Sequence, residues 1–169
     1  YAEGFALECA GLKRVREEDY CSPRLFATAM RWLEDNRDHD DFFLWIDCFD
    51  PHEPWDPPRH YVDMYDPGYE GEEVTFPLYG SSSVVSPREL EHIRALYAAE
   101  VTMVDRWIGR FLEKLADVGR ARDTLVVIAS DHGFLFGEPK PIREAIASQT
   151  TPRASTPLRA GPFRPRAVG

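Results

Sequence analysis

The chain is short of basic residues and of cysteines, and both shortages exclude classes of protein. Its 20 Lys and Arg face 29 Asp and Glu, for a net charge of −9. Nucleic acids and anionic membranes both attract basic surfaces, so we expect neither as a partner. The three cysteines include no Cys-x-x-Cys pair, which excludes a zinc ribbon and a thioredoxin-like site.

Several signature motifs are also missing. The chain has no Gly-x-Ser-x-Gly, no phosphate loop and no His-Glu-x-x-His, the motifs of three large hydrolase classes. No apolar stretch is long enough to span a bilayer, and none has the layout of a signal peptide. With 169 residues, 43% of them hydrophobic, the composition predicts one domain with a real core.

Two apolar runs are present, and each leads into a group of polar residues. Residues 125–129 lead into Ser130-Asp131-His132-Gly133, and residues 42–49 lead into Asp50-Pro51-His52-Glu53-Pro54-Trp55. Apolar runs of this length are typical of strands covered on both faces. Open α/β sheets carry their chemistry at the carboxyl ends of such strands. We therefore look for a site where these two runs end.

Asp131 and His132 are candidate metal ligands. A carboxylate oxygen and a neutral imidazole nitrogen together suit a divalent ion, and Gly133 lets the backbone turn away at once. An ordinary turn at the end of a strand is the alternative interpretation, because Asp-His-Gly alone is a weak signal.

His52 is a candidate substrate contact. Pro51 and Pro54 each fix their own φ and restrict the preceding residue, which favours a rigid turn. Such a turn can hold an imidazole against an anionic substrate. A turn histidine bonded to nearby backbone is the alternative.

A long helix is predicted after Ser86. Ser86-Pro87-Arg88-Glu89 has the pattern of a capping box with Pro at the first helical position. Apolar residues then recur at spacings of three and four as far as Leu115, and Gly119 is a suitable stop. Residues 56–86, rich in Pro, Gly and Asp, are predicted to form a long surface loop.

Three segments resemble the sulfatase family of the alkaline-phosphatase superfamily: residues 42–55, 97–109 and 123–138. The resemblance implies an α/β fold, here part of a three-layer α/β/α domain with a mostly parallel sheet. It also implies a sulfuric ester hydrolase that acts on a small-molecule or glycan sulfate ester. Close relatives hydrolyse phosphate or phosphonate esters, and that activity stays open as an alternative.

The same resemblance implies roles for individual residues. Asp131 and His132 correspond to two ligands of one divalent metal ion, with calcium the first expectation and magnesium or manganese the alternatives. His52 corresponds to the catalytic histidine that contacts the sulfate group.

The family's nucleophile is a formylglycine made within Cys/Ser-x-Pro-x-Arg, upstream of the histidine turn. Upstream of His52 the closest segment is Cys21-Ser22-Pro23-Arg24, in which Arg comes one residue early. We interpret Ser22 as a helix N-cap and Pro23 as the first helical residue. The expectation is therefore a chain that starts partway through the domain and is inactive by itself. A non-catalytic remnant or binding module is the second interpretation.

The composition changes after Glu138. Residues 139–169 hold six Pro, five Arg and one Lys against a single Glu. Such a switch of charge and proline content marks a boundary. We predict a partial catalytic domain over residues 1–138 and a disordered Pro/Arg-rich tail over residues 139–169.

Overall fold

The computed structural model describes residues 14–76, 85–134 and 136. Within those ranges the regular elements are three α-helices and one 3-10 turn. The helices are α1 (Cys21–Asp35), α2 (Arg59–Val62) and α3 (Pro87–Asp117), and the turn covers Glu17–Asp19. None of these helices is both long enough and apolar enough to cross a membrane.

Helix α3 begins and ends as the sequence predicts. Ser86 Oγ accepts a hydrogen bond from the Glu89 N–H at 3.2 Å, and the Glu89 carboxylate accepts one from the Ser86 N–H at 2.7 Å. This reciprocal pair satisfies two donors that a helix N-terminus otherwise leaves open. Past the other end, Gly119 has a φ of +81°, a left-handed conformation that glycine adopts at little cost.

Helix α1 begins two residues earlier than predicted. Its N-cap is Tyr20 and its first residue is Cys21, so the Cys21–Arg24 segment is helical but Ser22 is not its cap. The Ser22 side chain is 1% exposed and donates its hydroxyl hydrogen to Asp50. The predicted cap was wrong because the Ser22 hydroxyl group donates its hydrogen bond to a carboxylate from a distant part of the chain.

The core lies between α1 and α3. The rings of Phe26 on α1 and Phe111 on α3 are 6.3 Å apart, and Leu33 and Leu115 are almost fully buried. Burying a large apolar side chain contributes about 1.5–3 kcal/mol, so this helix pair supplies much of the stability. The helix pair is the scaffold against which the two apolar runs pack.

No β-strand is present in the parts of the chain that the structure describes. The predicted strands over residues 42–49 and 125–129, and the mostly parallel sheet they would build, are therefore not formed there. A ladder requires a neighbouring strand to bond each N–H and C=O group, and neither run has one among these residues.

Residues 42–49 nevertheless keep the two-residue period of an extended chain. The inward side chains pack on the helical core; these are Phe42, Leu44, Ile46 and Cys48. On the other side, Phe43 is 83% exposed and Trp45 is 76% exposed. The prediction that this run is covered on both faces was wrong for the described residues, because the helical core covers one face only.

Residues 56–86, predicted as a surface loop, contribute to the core. They contain helix α2, in which Tyr61 is 3% and Val62 is 2% exposed. Residues 77–84 lie outside the described part of the chain. The loop prediction was therefore wrong for α2, whose apolar residues pack against α3.

Helix α3 also carries a buried carboxyl group, at Glu100. Its side chain is 3% exposed and its Oε2 atom has no hydrogen-bond partner. Burial, followed by the negative charges of Asp50 and Asp56, raises the pKa of Glu100 to about 9. The folded chain therefore holds a proton on Glu100 at neutral pH, because a buried unpaired carboxylate is costly.

The buried Glu100 predicts a fall in stability as the pH rises. Between the ordinary Glu pKa of 4.5 and the folded value of about 9, the folded chain keeps a proton that the unfolded chain has released. The Glu100→Gln variant has no such proton, so its free energy of unfolding should fall less over this window. The slopes of wild type and variant should differ by up to about 1.4 kcal/mol per pH unit. Urea unfolding across that pH range measures both slopes.

The matched control is Glu113→Gln, an exposed position on the same helix, which should retain the wild-type slope. Equal slopes for wild type and Glu100→Gln would contradict the assignment of a protonated Glu100.

Candidate active site

The structure brings His52 and His132 together. The centroids of their imidazole rings are 6.2 Å apart, with an angle of 77° between the ring planes. Phe134 contacts both, at 5.4 Å from the His52 ring and 5.7 Å from the His132 ring. The two segments singled out from the sequence therefore meet, although 80 residues of sequence separate the histidines.

The first anchor of the His52 turn is Asp50. Its Oδ2 atom accepts hydrogen bonds from both the backbone N–H and the hydroxyl group of Ser22, the N–H bond being 3.2 Å long. The carboxylate thereby accepts a hydrogen bond from one of the N–H groups in the first turn of α1 that have no partner within the helix. Burial raises the pKa of Asp50, while the two hydrogen bonds from Ser22 act in the opposite direction.

The second anchor is Trp55, at the other end of the turn. Its indole N–H donates to the carbonyl of Pro51 at 2.9 Å, and its backbone N–H donates to the carbonyl of Thr75 at 2.7 Å. Trp55 is 2% exposed, so both bonds are shielded from water. The turn is thus tied to α1 on one side and to the loop after α2 on the other.

His52 itself is held on its Nδ1 edge by the next residue. Nδ1 lies 3.1 Å from the Glu53 carbonyl oxygen and 3.0 Å from the Glu53 carboxylate atom Oε2. Phe49 lies against the His52 ring, with centroids 4.6 Å apart. The contact with the Glu53 carbonyl is the bond expected of a turn histidine held by nearby backbone, which was the alternative interpretation. It engages Nδ1 and not Nε2.

Asp131 and His132 lie in the open. The Asp131 side chain is 91% exposed and the His132 side chain 41%. Asp131 Oδ1 accepts the His132 backbone N–H at 2.9 Å, while Oδ2 is 3.8 Å from His132 Nε2. Ser130 Oγ donates to the His132 carbonyl at 2.6 Å. The two predicted ligands are adjacent and accessible, and their role as ligands stays a prediction.

The described residues contain no group of three or more His, Cys, Asp or Glu side chains placed to hold a metal ion. One carboxylate and one imidazole are chemically suitable donors, but hard divalent ions normally gather about six ligands. Asp131 and His132 therefore fit as part of a coordination shell and not as the whole.

The sequence analysis missed the aromatic residues behind the histidines. The Trp55 ring contacts Phe134 at 5.2 Å, Phe136 at 5.4 Å and Tyr97 at 5.5 Å, measured between centroids. The alternation of Phe134 and Phe136 after Gly133 was a readable signal, because it gives two aromatic side chains on one side of an extended chain. Of these rings, Phe134 also contacts His52 and covers one side of its imidazole.

Cys48 is poorly suited to act as a nucleophile. Burial raises the pKa of Cys48 to about 11, so its sulfur is a protonated thiol at neutral pH. Cys21 lies in the first turn of α1, and Cys9 lies outside the described residues.

A complete Ser-x-Pro-x-Arg pattern does occur downstream, from Ser155 to Arg159. It was not picked out in the sequence analysis, and it lies outside the described residues. Its place after His52 is opposite to the order that the family resemblance implies.

The sulfatase family model matches residues 8–164. The chain therefore belongs to the sulfatase family of the alkaline phosphatase superfamily. Membership implies an alkaline-phosphatase-like α/β fold, although the described part is mostly helical. The matched range crosses the domain boundary predicted after residue 138, which stays a prediction.

Three curated relatives each match more than half of the chain. An arylsulfatase of Clostridium perfringens is 30% identical over 129 residues, which are 66% of this chain and 26% of that protein. A sulfatase of Formosa agariphila is 29% identical over 115 residues, 57% of this chain and 23% of that protein. An endo-4-O-sulfatase of Bacteroides thetaiotaomicron is 34% identical over 102 residues, 54% of this chain and 18% of that protein.

The matched region thus spans about a quarter or less of the length of these relatives. No solved structure gives a significant match to the chain.

The buried bond between Ser22 and Asp50 predicts a stability loss on mutation. Ser22→Ala removes the hydroxyl donor from a buried carboxylate, so the free energy of unfolding should fall by about 1–3 kcal/mol. The pKa of Asp50, already raised by burial, should rise further. Urea unfolding at neutral pH measures the first effect.

Ser130→Ala is the control, because its hydroxyl group is exposed and bonds only to nearby backbone. The control should change stability by less than about 0.5 kcal/mol. A Ser22→Ala variant as stable as this control would contradict the importance of the Ser22–Asp50 contact.

Proposed function

We propose that this chain is the part of a sulfate ester hydrolase that presents His52 to the sulfate group and Asp131 and His132 to a divalent metal ion. The single observation that carries the proposal is the meeting of the His52 turn with the Asp131–His132 segment, with ring centroids 6.2 Å apart. Family membership supports sulfate ester hydrolysis as the reaction class. The substrate is a small-molecule or glycan sulfate ester.

His52 has a suitable environment for binding an anion. In its imidazolium form it would donate from Nε2 to a sulfate oxygen, because Nδ1 already faces Glu53. Aromatic rings on one side limit competing water, which strengthens a charged hydrogen bond. His52 would thereby stabilise the negative charge that develops on the substrate as the bond between sulfur and the leaving oxygen breaks.

Asp131 and His132 would supply two ligands to the metal ion, with calcium the first choice and magnesium or manganese the alternatives. The bound ion would polarise the sulfate oxygens. Since the described residues offer only this pair, the remaining ligands would have to come from outside them. We also propose that the chain by itself does not turn over sulfate esters, because no nucleophile motif precedes the His52 turn.

A phosphate or phosphonate ester hydrolase is the second candidate. It is favoured by one relative, a multifunctional alkaline phosphatase superfamily protein of Trinickia caryophylli, which is 32% identical over 82 residues. Those residues are 47% of this chain and 15% of that protein. Sulfate and phosphate esters present similar tetrahedral anions, so the same imidazole and metal ligands would serve both.

The proposal predicts that His52 is needed for hydrolysis in the longest natural protein that contains this chain. His52→Asn should lower kcat/KM for an aryl sulfate by about 10²–10³-fold, the usual loss when a donor to developing charge is removed. His39→Asn is the matched control, because His39 is exposed and lies outside the proposed site. It should leave kcat/KM unchanged.

Running the same assay with aryl phosphate and phosphonate esters decides between the two candidates by the larger kcat/KM. Full activity of His52→Asn on every ester would refute the assignment of His52. Turnover by the isolated chain would refute the proposed lack of a nucleophile.

The metal assignment predicts weak calcium binding by the chain alone. Two ligands should give a Kd of about 1 mM or weaker, the weak end of the calcium range. Calorimetry with calcium should show this weak signal lost in an Asp131→Ala, His132→Ala double variant. The control Asp63→Ala, on an exposed residue after α2, should retain it. Micromolar affinity would mean that the chain holds a complete ligand set.

A further inference from the structure

Glu53 is a buried acidic residue placed directly against His52. Its side chain is 3% exposed, although a turn residue between two prolines would ordinarily face water. Carboxylates are rarely buried unless they are held by donors. The burial therefore points to a specific role for this side chain beyond filling space.

The groups that face the Nδ1 edge of His52 both belong to Glu53 and are both acceptors. The carbonyl oxygen lies 3.1 Å from Nδ1 with hydrogen-bond geometry. The carboxylate Oε2 atom lies 3.0 Å from Nδ1 as an ion-pair contact and lacks that geometry, so it acts on the imidazole through its charge. A carbonyl and a carboxylate cannot donate a hydrogen bond, so Nδ1 must carry the hydrogen. In a neutral imidazole, Nε2 is then the nitrogen without one.

No hydrogen bond to His52 Nε2 is made by any residue in the described ranges. The ring is also constrained by Phe49 at 4.6 Å and Phe134 at 5.4 Å between centroids. The imidazole thus has its Nδ1 nitrogen engaged inside the turn, and the ring as a whole lies beside that of His132, with centroids 6.2 Å apart.

We propose that Glu53 is the positioning residue for His52: its side chain fixes the Nδ1–H tautomer and turns Nε2 toward the site. Glu53 does not touch the substrate and acts only through the histidine. Only one part rests on the proposed function, namely that the group contacted by Nε2 is the sulfate of the substrate. Loss of the Glu53 carboxylate should change the tautomer and orientation of the His52 imidazole without removing any group that reacts.

The test reads the tautomer of His52 directly, by two-bond nitrogen–proton correlation spectra of the 15N-labelled chain. At about pH 8 or above, where an ordinary imidazole is neutral, wild type should show His52 in the Nδ1–H form alone. Glu53→Gln retains an acceptor oxygen of the same reach and should give the same spectrum. Glu53→Leu removes the acceptor and should give a mixture of both tautomers.

Glu113→Leu on the exposed face of α3 is the control, and it should leave the His52 signals unchanged. A wild-type His52 in the Nε2–H form would overturn the proposal. So would a Glu53→Leu spectrum identical to that of wild type, because the backbone carbonyl would then suffice. If Glu53→Leu does not fold, Glu53→Asp decides: its shorter side chain should give mixed tautomers, and a pure Nδ1–H form would overturn the proposal.

This readout is independent of the hydrolase assignment, because it needs neither substrate nor metal. A failed aryl sulfate assay with a pure Nδ1–H His52 would refute the proposed function and leave the role of Glu53 intact. A normal assay with an Nε2–H His52 would do the reverse.

Discussion

The buried contact between Asp50 and Ser22 is the constraint on which the rest of the site depends. It joins the first turn of α1 to the residue that starts the His52 turn. Without it, a half-desolvated carboxylate and a helix N-terminus would each lack a partner. Because α1 is packed on α3, the contact fixes the His52 turn, which contains no regular structure, to the helical core. The imidazole of His52 is therefore positioned by groups that carry none of the chemistry.

The site joins two different environments. On the His52 side, Phe49 and Phe134 pack against the imidazole ring, and the Glu53 side chain is 3% exposed. On the Asp131 side, the carboxylate is almost fully exposed. A group that recognises an anion benefits from a dry surrounding, where its charge is less screened. A metal-binding group must remain reachable by a hydrated ion. The contrast agrees with the different tasks proposed for the two segments.

The sequence was sufficient wherever short-range chemistry decides the structure. The reciprocal bonds of Ser86 and Glu89 need only four consecutive residues, and they were predicted correctly. Strands were predicted where none forms, since pairing depends on neighbours that an apolar run does not specify. The meeting of His52 with His132 was predicted from two strand ends at one edge of a sheet, and the histidines meet although neither strand is formed in the described residues. The burial of Glu53 and Glu100 was not predicted, because no local sequence pattern records how deeply a polar side chain is buried in the folded chain.

The one-sided packing of residues 42–49 has a consequence for handling the molecule. Phe43 and Trp45 form an exposed apolar ribbon on a segment that pairs with no strand in the described part of the chain. Such ribbons are templates for intermolecular strand addition, and apolar dyes bind to surfaces of this kind. Concentrated solutions of the chain should accordingly become turbid on standing, and a detergent that coats the two rings should keep them clear.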